Sequence, residues 1–305
     1  MGRQRIAITG GAGFLGQHVS RAILSAGHEV VNFDLSPSPV AGVQNHIESV
    51  FAPALDEALL EGVDALIHLA WIGKPGSPDV SFEGDAHQNV VGSLRMVEAA
   101  KRGGVKMVVF ASSGGTVYGA EAKACSVESD PLAPINAYGA GKAAFEAYLN
   151  AWGRANGVRT VTLRIANPYG PGQLPDRGQG FVANAVARAL DGQTLQIWGD
   201  GKVVRDYVYI TDVADAFVSA LTSEKGGVFN IGSGIGWSLN EIVEHINKTL
   251  GQAIRVDYQH GRTIDVPINV LDNTKAQRDL GWNAAEGLST GVELTARWMK
   301  SWQSS

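Results

Sequence analysis

Three glycines behind a short apolar run constrain this chain more than any other feature. The segment TGGAGFLG places Gly10, Gly13 and Gly16 after a strand-like run at 5–9 and at the start of a helical pattern over 13–26. Gly10 permits a tight turn, Gly13 lets the backbone approach a pyrophosphate, and Gly16 lets helix and strand pack closely. The helix start then offers unpaired N–H groups to phosphate oxygens. A second strand-like run, 29–33, ends at Asp34. A carboxylate there accepts hydrogen bonds from both ribose hydroxyls and repels a 2′-phosphate. Leu35 and Ser36 follow it, with no arginine at once, so the pattern predicts NAD rather than NADP.

The same rhythm continues, with strands expected at 65–69, 105–111 and 159–165 and helices at 88–102 and 136–156. Repeated βα units imply an α/β fold, a Rossmann-type doubly wound parallel sheet with helices on both faces. Proline and glycine then crowd 167–180, and strand and helix patterns mix less regularly. The chain has 305 residues, enough for two units. The expected division is an NAD-binding Rossmann domain over 1–165 and a smaller mixed α/β substrate-binding lobe over 166–305, with 204–221 a candidate to return to the first domain.

Composition narrows the function classes. A formal net charge of -5 argues against a nucleic-acid partner, which selects for a basic stripe. No Lys/Arg run marks a membrane-surface patch, and no stretch of about 20 apolar residues is present to span a bilayer. The N-terminal apolar run stops at glycines and reads as a strand rather than a signal peptide. Cys125 is the single cysteine, so no intrachain disulfide can form, which fits a cytoplasmic location. CxxC and HxxxH spacings are missing, and no metal site is expected. His68, in IHLAW, has no partner ligands and reads as a strand-end packing residue.

Tyr138 and Lys142 lie four apart in AYGAGK, on one face of the expected helix. A free tyrosine, with a pKa of about 10, is too weakly acidic to act as a base at neutral pH. A nearby ammonium and a positive nicotinamide ring favour the phenolate. Upstream, FASSGGTVYG places the hydroxyls of Ser112, Ser113 and Thr116 where a strand leaves the sheet, the edge at which such folds bind ligands. A hydroxyl there can bond a substrate oxygen and share a proton with Tyr138.

Taken together, these segments resemble the extended short-chain dehydrogenase/reductase family, and within it the NAD-dependent nucleotide-sugar epimerases of the UDP-glucose 4-epimerase kind. The resemblance covers nearly the whole chain. It implies cofactor contacts at Gly10, Gly13, Phe14, Leu15, Gly16, Asp34, Leu69, Ala70, Tyr138 and Lys142. It implies Ser113 as the catalytic hydroxyl when counted from Phe110, with Thr116 in reserve because the loop is one residue longer when counted back from Tyr118. LRIANPYGPG is similar to the family segment whose asparagine touches the substrate diphosphate, here Asn167. IWGDGKVVRDYVYITDVADA is similar to the segment that packs on the base and supplies an arginine, here Trp198 and Arg205. GRTIDVP resembles the late RxxD motif, here Arg262 and Asp265. Arginine forks suit phosphate bidentately, and an indole offers a flat face to a base.

Two departures shape the expectation. Gly114 and Gly115 stand where 4,6-dehydratases carry an acidic pair, which argues against dehydration. Asn269 stands where the family has a tyrosine that limits sugar size, so a substituted hexose fits the expectation. The glycine-Asp segment near the adenine is not recognisable, with Ser49 and Val50 in its place. The resemblance implies 4-epimerisation of a nucleotide hexose, UDP-linked by expectation, and a homodimer through 88–102 and 136–156. The alternatives are a 4-keto-sugar reductase, dehydrogenase or decarboxylase on the same scaffold, and, more remotely, a non-catalytic NAD sensor.

Overall fold

The computed structural model describes residues 2–51, 57–75, 81–119, 123–176, 180–261 and 266–304. The chain opens with β1 (Arg5–Thr9), α1 (Phe14–Ser25), β2 (Glu29–Asp34), β3 (Gln44–Ile47) and β4 (Ala65–His68). Then α2 (Phe82–Asp85) runs through a π-helical stretch, Ala86–Val91, into α3 (Gly92–Arg102). The helix expected at 88–102 therefore starts earlier and changes winding on the way. β5 (Met107–Ser113), α4 (Gly114–Val117), α5 (Ala137–Asn156) and β6 (Arg159–Ile165) follow, and β5 carries both Ser112 and Ser113 inside the strand.

The second part begins with β7 (Asn167–Tyr169), α6 (Phe181–Asp191), β8 (Thr194–Trp198), β9 (Val204–Tyr209), α7 (Ile210–Thr222) and β10 (Gly227–Ile231). It ends with β11 (Gly236–Ser238), α8 (Leu239–Leu250), β12 (Arg255–Gln259), β13 (Ile268–Asn269), α9 (Thr274–Leu280) and α10 (Leu288–Gln303).

Seven strands form one sheet in the order β10-β6-β5-β4-β1-β2-β3, each pair parallel. The central strands β1, β4 and β5 are buried almost throughout, as a sheet covered on both faces requires. On one face Val19 and Ile23 of α1 pack with Val213 and Phe217 of α7. On the other, Met96 and Val97 of α3 pack with Phe145 and Leu149 of α5. The strand order reverses between β1 and β4, and crevices at such switch points bind ligands at the carboxyl ends of the strands.

A separate core joins α6, α8 and α10 with Tyr169, Tyr207 and Tyr209. It carries a four-stranded sheet of β11, β9, β13 and β7, and the pair β12-β8. Helix α8 is fixed by a reciprocal capping box between Ser238 and Glu241. No helix among the described residues is long and apolar enough to cross a membrane.

Candidate active site

The glycine turn closes on β4 at the switch point. Gly10 has φ 75, and a Cβ there would lie 2.9 Å from the Ala70 amide nitrogen. A Cβ at Gly16 would lie 2.3 Å from the Gly10 carbonyl oxygen, so helix and turn meet at a distance only glycine allows. Helix α1 has Gly13 at its N-cap, with no side-chain cap and no acidic residue in its first turn. Its first N–H groups are therefore left to a phosphate. Asp34 braces the turn, accepting from Ala12 N at 3.0 Å and Ser36 N at 3.2 Å. A carboxylate has about four acceptor sites, which leaves capacity for a ribose.

Leu69 and Ala70 are set by a buried network. Both amides donate to Thr9 Oγ1 at 3.2 Å. His68, expected as a packing residue, is fully buried against Phe51, Phe110 and Phe145 and in addition bonds Thr9 Oγ1 through Nδ1 at 2.8 Å and Ser93 Oγ through Nε2 at 2.8 Å. Burial, reinforced by the positive Lys142, lowers His68 to about 3.

Tyr138 stands in the first turn of α5, fixed by the Asn136 side chain, which accepts from Gly139 N at 2.8 Å. Lys142 is buried, donates from Nζ to Ala111 O at 2.7 Å, and lies 4.0 Å from the Trp71 ring centroid. Its Nζ is 5.6 Å from the Tyr138 ring centroid. Burial lowers Lys142 to about 7, against the opposing charges of Glu146 and Asp85. Tyr138 is pushed up to about 12, by burial first and by the Asp85 carboxylate second. The lysine was expected to draw the tyrosine down; in the protein alone, burial and the Asp85 carboxylate hold it up.

Asp85 was not anticipated. It is buried, its Oδ1 accepts from Asn89 Nδ2 at 2.9 Å, and its Oδ2 abuts Gly141, where a Cβ would come within 2.4 Å. The Glu146–Arg164 ion pair was missed as well; Glu146 follows Lys142 by one turn, a spacing visible in the sequence.

Ser113 caps the short α4 without using its side chain, whereas Thr116 Oγ1 donates to Ser113 O at 3.4 Å. The Gly115 Cβ position is 3.9 Å from both Ser113 Oγ and Asn167 Oδ1. The β5 end and the lobe therefore meet at this glycine. Asn167 opens β7 and donates to Asp206 O at 2.9 Å. Asn269 is buried beside Arg205 in the β13–β9 pair, and its Nδ2 donates to Gly114 O at 3.1 Å. Arg205 donates to Val204 O and Val266 O at 2.9 and 2.6 Å. Trp198 ends β8, 44% exposed, on a different sheet from these three. Arg262 and Asp265 lie outside the described residues.

Residues 6–232 match the model of the NAD-dependent epimerase/dehydratase family. The chain belongs to that family. It is an NAD-dependent enzyme, and the cradle fits the cofactor: a Cβ at Gly10 or Gly16 would fill space that the turn needs, and Asp34 opposes a 2′-phosphate.

Among family members, a UDP-glucose 4-epimerase of Mycolicibacterium smegmatis is 36% identical, with 97% of this chain and 99% of that protein covered. A dTDP-4-dehydro-6-deoxyglucose reductase of Escherichia coli is 30% identical, with 94% and 95% covered. The crystal structure of a UDP-glucose 4-epimerase from Thermotoga maritima with UDP-glucose superposes with a TM-score of 0.91 at 34% identity, covering 98% of this chain and 99% of that one. The family therefore spans more than one reaction on one fold.

Proposed function

We propose that this enzyme is a nucleotide-sugar 4-epimerase, acting on a UDP-linked hexose. The observation that carries the reading is the wall at Gly114 and Gly115. It brings Ser113 Oγ and Asn167 Oδ1 each to 3.9 Å from the Gly115 Cβ position and offers no carboxylate for dehydration. The similarity to two UDP-glucose 4-epimerases supports it.

When bound in oxidised form, NAD would supply the acceptor for the hydride of the sugar C4, the source of the hydride returned to the opposite face, and a positive charge beside Tyr138. Tyr138 Oη takes the 4-hydroxyl proton and later returns it, and Ser113 Oγ hydrogen-bonds the same sugar oxygen. Lys142 holds the nicotinamide ribose and adds positive charge near the tyrosine. Asn167 and Arg205, with Arg262 from outside the described residues, hold the diphosphate while the 4-keto sugar turns its other face. Trp198 packs on the base, and Asp265 takes the nucleotide ribose. Asn269, in place of a bulkier tyrosine, leaves room for a substituted hexose such as an N-acetylhexosamine or a uronic acid. We further propose a homodimer through α3 and α5.

The test follows the sugar by proton NMR, with UDP-glucose, UDP-N-acetylglucosamine and UDP-glucuronate each incubated with catalytic NAD. The expected result is the 4-epimer of at least one, without stoichiometric NADH. Tyr138→Phe lowers that turnover by roughly 10²–10⁴-fold with NAD affinity kept. Turnover that needs stoichiometric NADH and a keto-sugar identifies a reductase instead, and wild-type rates in the phenylalanine variant remove Tyr138 from the chemistry.

A further inference from the structure

Glu146 follows Lys142 by one turn of α5, so Tyr138, Lys142 and Glu146 lie along one helix face. Its carboxylate is buried and fully engaged. Glu146 Oε1 accepts from Ser112 Oγ, and the two oxygens accept from Arg164 Nε at 3.2 and 3.0 Å and from Nη2 at 2.7 Å. Ser112 is the residue before Ser113. Arg164 is buried too, and its Nη1 donates to Tyr118 Oη at 3.0 Å and to Glu128 O at 3.2 Å. Tyr118 then donates to Asn230 Oδ1 of β10 at 2.6 Å. One carboxylate thus joins the helix of the tyrosine and lysine to the strand end of the serine. A buried ion pair is poor evidence of stability on its own, because desolvation offsets much of the attraction. The bonds made here instead converge on the two elements whose relative placement the chemistry needs.

We propose that Glu146 is a positioning residue: it locks the end of β5, and with it Ser113, against α5, and its negative charge one helical turn from Lys142 favours the ammonium form of the lysine. The proposal rests on the reading of Tyr138 and Lys142 as the acting pair. Several charged or titratable groups surround Lys142: Tyr138 and Glu146 from its own helix, Asp85 from α2, His68 from β4, and Arg164 from β6 behind Glu146. Asp85 and Glu146 are the two anions that favour the ammonium, and burial opposes them. His68 is neutral at physiological pH. With Lys142 already near 7, loss of one anion moves its protonation across neutral pH.

Glu146→Gln keeps the shape and an acceptor for Ser112 while removing the charge. In protein carrying ¹³C at lysine Cε, the Lys142 signal is identified by its loss in Lys142→Met. Its titration midpoint should fall by about one pH unit in Glu146→Gln; an unchanged midpoint overturns the electrostatic half.

Ser112→Ala cuts only the link to β5 and serves also if Glu146→Gln fails to fold. With the UDP-sugar that turns over, its kcat should fall roughly ten- to a hundredfold, with KM and melting temperature held and Ser112→Thr restoring rate. Wild-type kcat in Ser112→Ala overturns the positioning half. Wild-type turnover by Tyr138→Phe would sink the reading of the site instead, and would leave the lysine titration standing.

Discussion

The Thr9 hydroxyl has two lone pairs and one proton. The amides of Leu69 and Ala70 occupy the lone pairs, so the proton goes to His68 Nδ1. That leaves the His68 proton on Nε2, donated to Ser93. The ring is neutral for a structural reason, and a second proton would break the Thr9 bond. Its folded pKa of about 3 lies below the ordinary 6.5, so the unfolded chain binds a proton that the folded chain refuses. Stability therefore falls as pH drops from 6.5 towards 3, by up to about 1.4 kcal/mol per pH unit from this group. Denaturant midpoints measured from pH 6.5 to 4 should fall more steeply for the wild type than for His68→Asn; parallel lines would refute the assignment. Sequence shows Gly10, Gly13 and Gly16 because their demand is local. The pair Tyr138 and Lys142 shows because a helix brings i and i+4 together. Thr9 and His68 lie 59 residues apart and meet only because β1 and β4 are neighbours, which no spacing reveals.

At the level of elements, α5 matters most, since it carries the tyrosine, the lysine and Glu146. Asn136 satisfies one of its orphan N–H groups directly at the turn that holds Tyr138. Asn136→Ala should cost about 1 kcal/mol, within a range of roughly 0.5–2, seen as a lower chemical-unfolding midpoint. Asn136→Ser should recover most of it, and equal midpoints for alanine and asparagine would show the cap to be idle. The apolar run of β1 was legible to the residue, because a doubly covered strand must be hydrophobic, and β6 was legible by the alternation of Val161, Leu163 and Ile165 with polar residues. β3, with the sequence QNHI and mostly exposed, gives no such signal; pairing with β2 alone makes it a strand. The π-helical turn at Ala86–Val91 was equally hidden, because a 3.6-residue period reads straight through one slipped hydrogen bond.

For the molecule as a whole, the family match to residue 232 ends just past β10, the last strand of the large sheet. Asn167 of β7 and Arg205 of β9 fall inside that range and Asn269 of β13 beyond it, with β7 and β13 both paired to β9. The lobe residues were expected from their order in the chain, which carried no geometry: Trp198 stands on a different sheet from the other three. The proposed dimer belongs to this scale as well. Phe82, which opens α2, and Tyr148 on α5 are large and exposed. Sedimentation velocity at micromolar protein should show twice the chain mass of 32.2 kDa, and a single species at chain mass would overturn the dimer.

β10 pairs with β6 in a register that sets Asn230 opposite Arg164. On the ribosome, roughly 60 residues separate the two strands, about 3–12 s of synthesis at 5–20 residues per second. For that interval the β6 border is a bare row of backbone donors and acceptors, open to any passing strand. Arg164 by then has Glu146 and Tyr118 available, but not the Asn230 that receives the tyrosine's proton. Until Asn230 emerges, the nascent chain holds that border half-assembled, so slower translation across 166–231 lengthens the exposure of an unpaired strand edge.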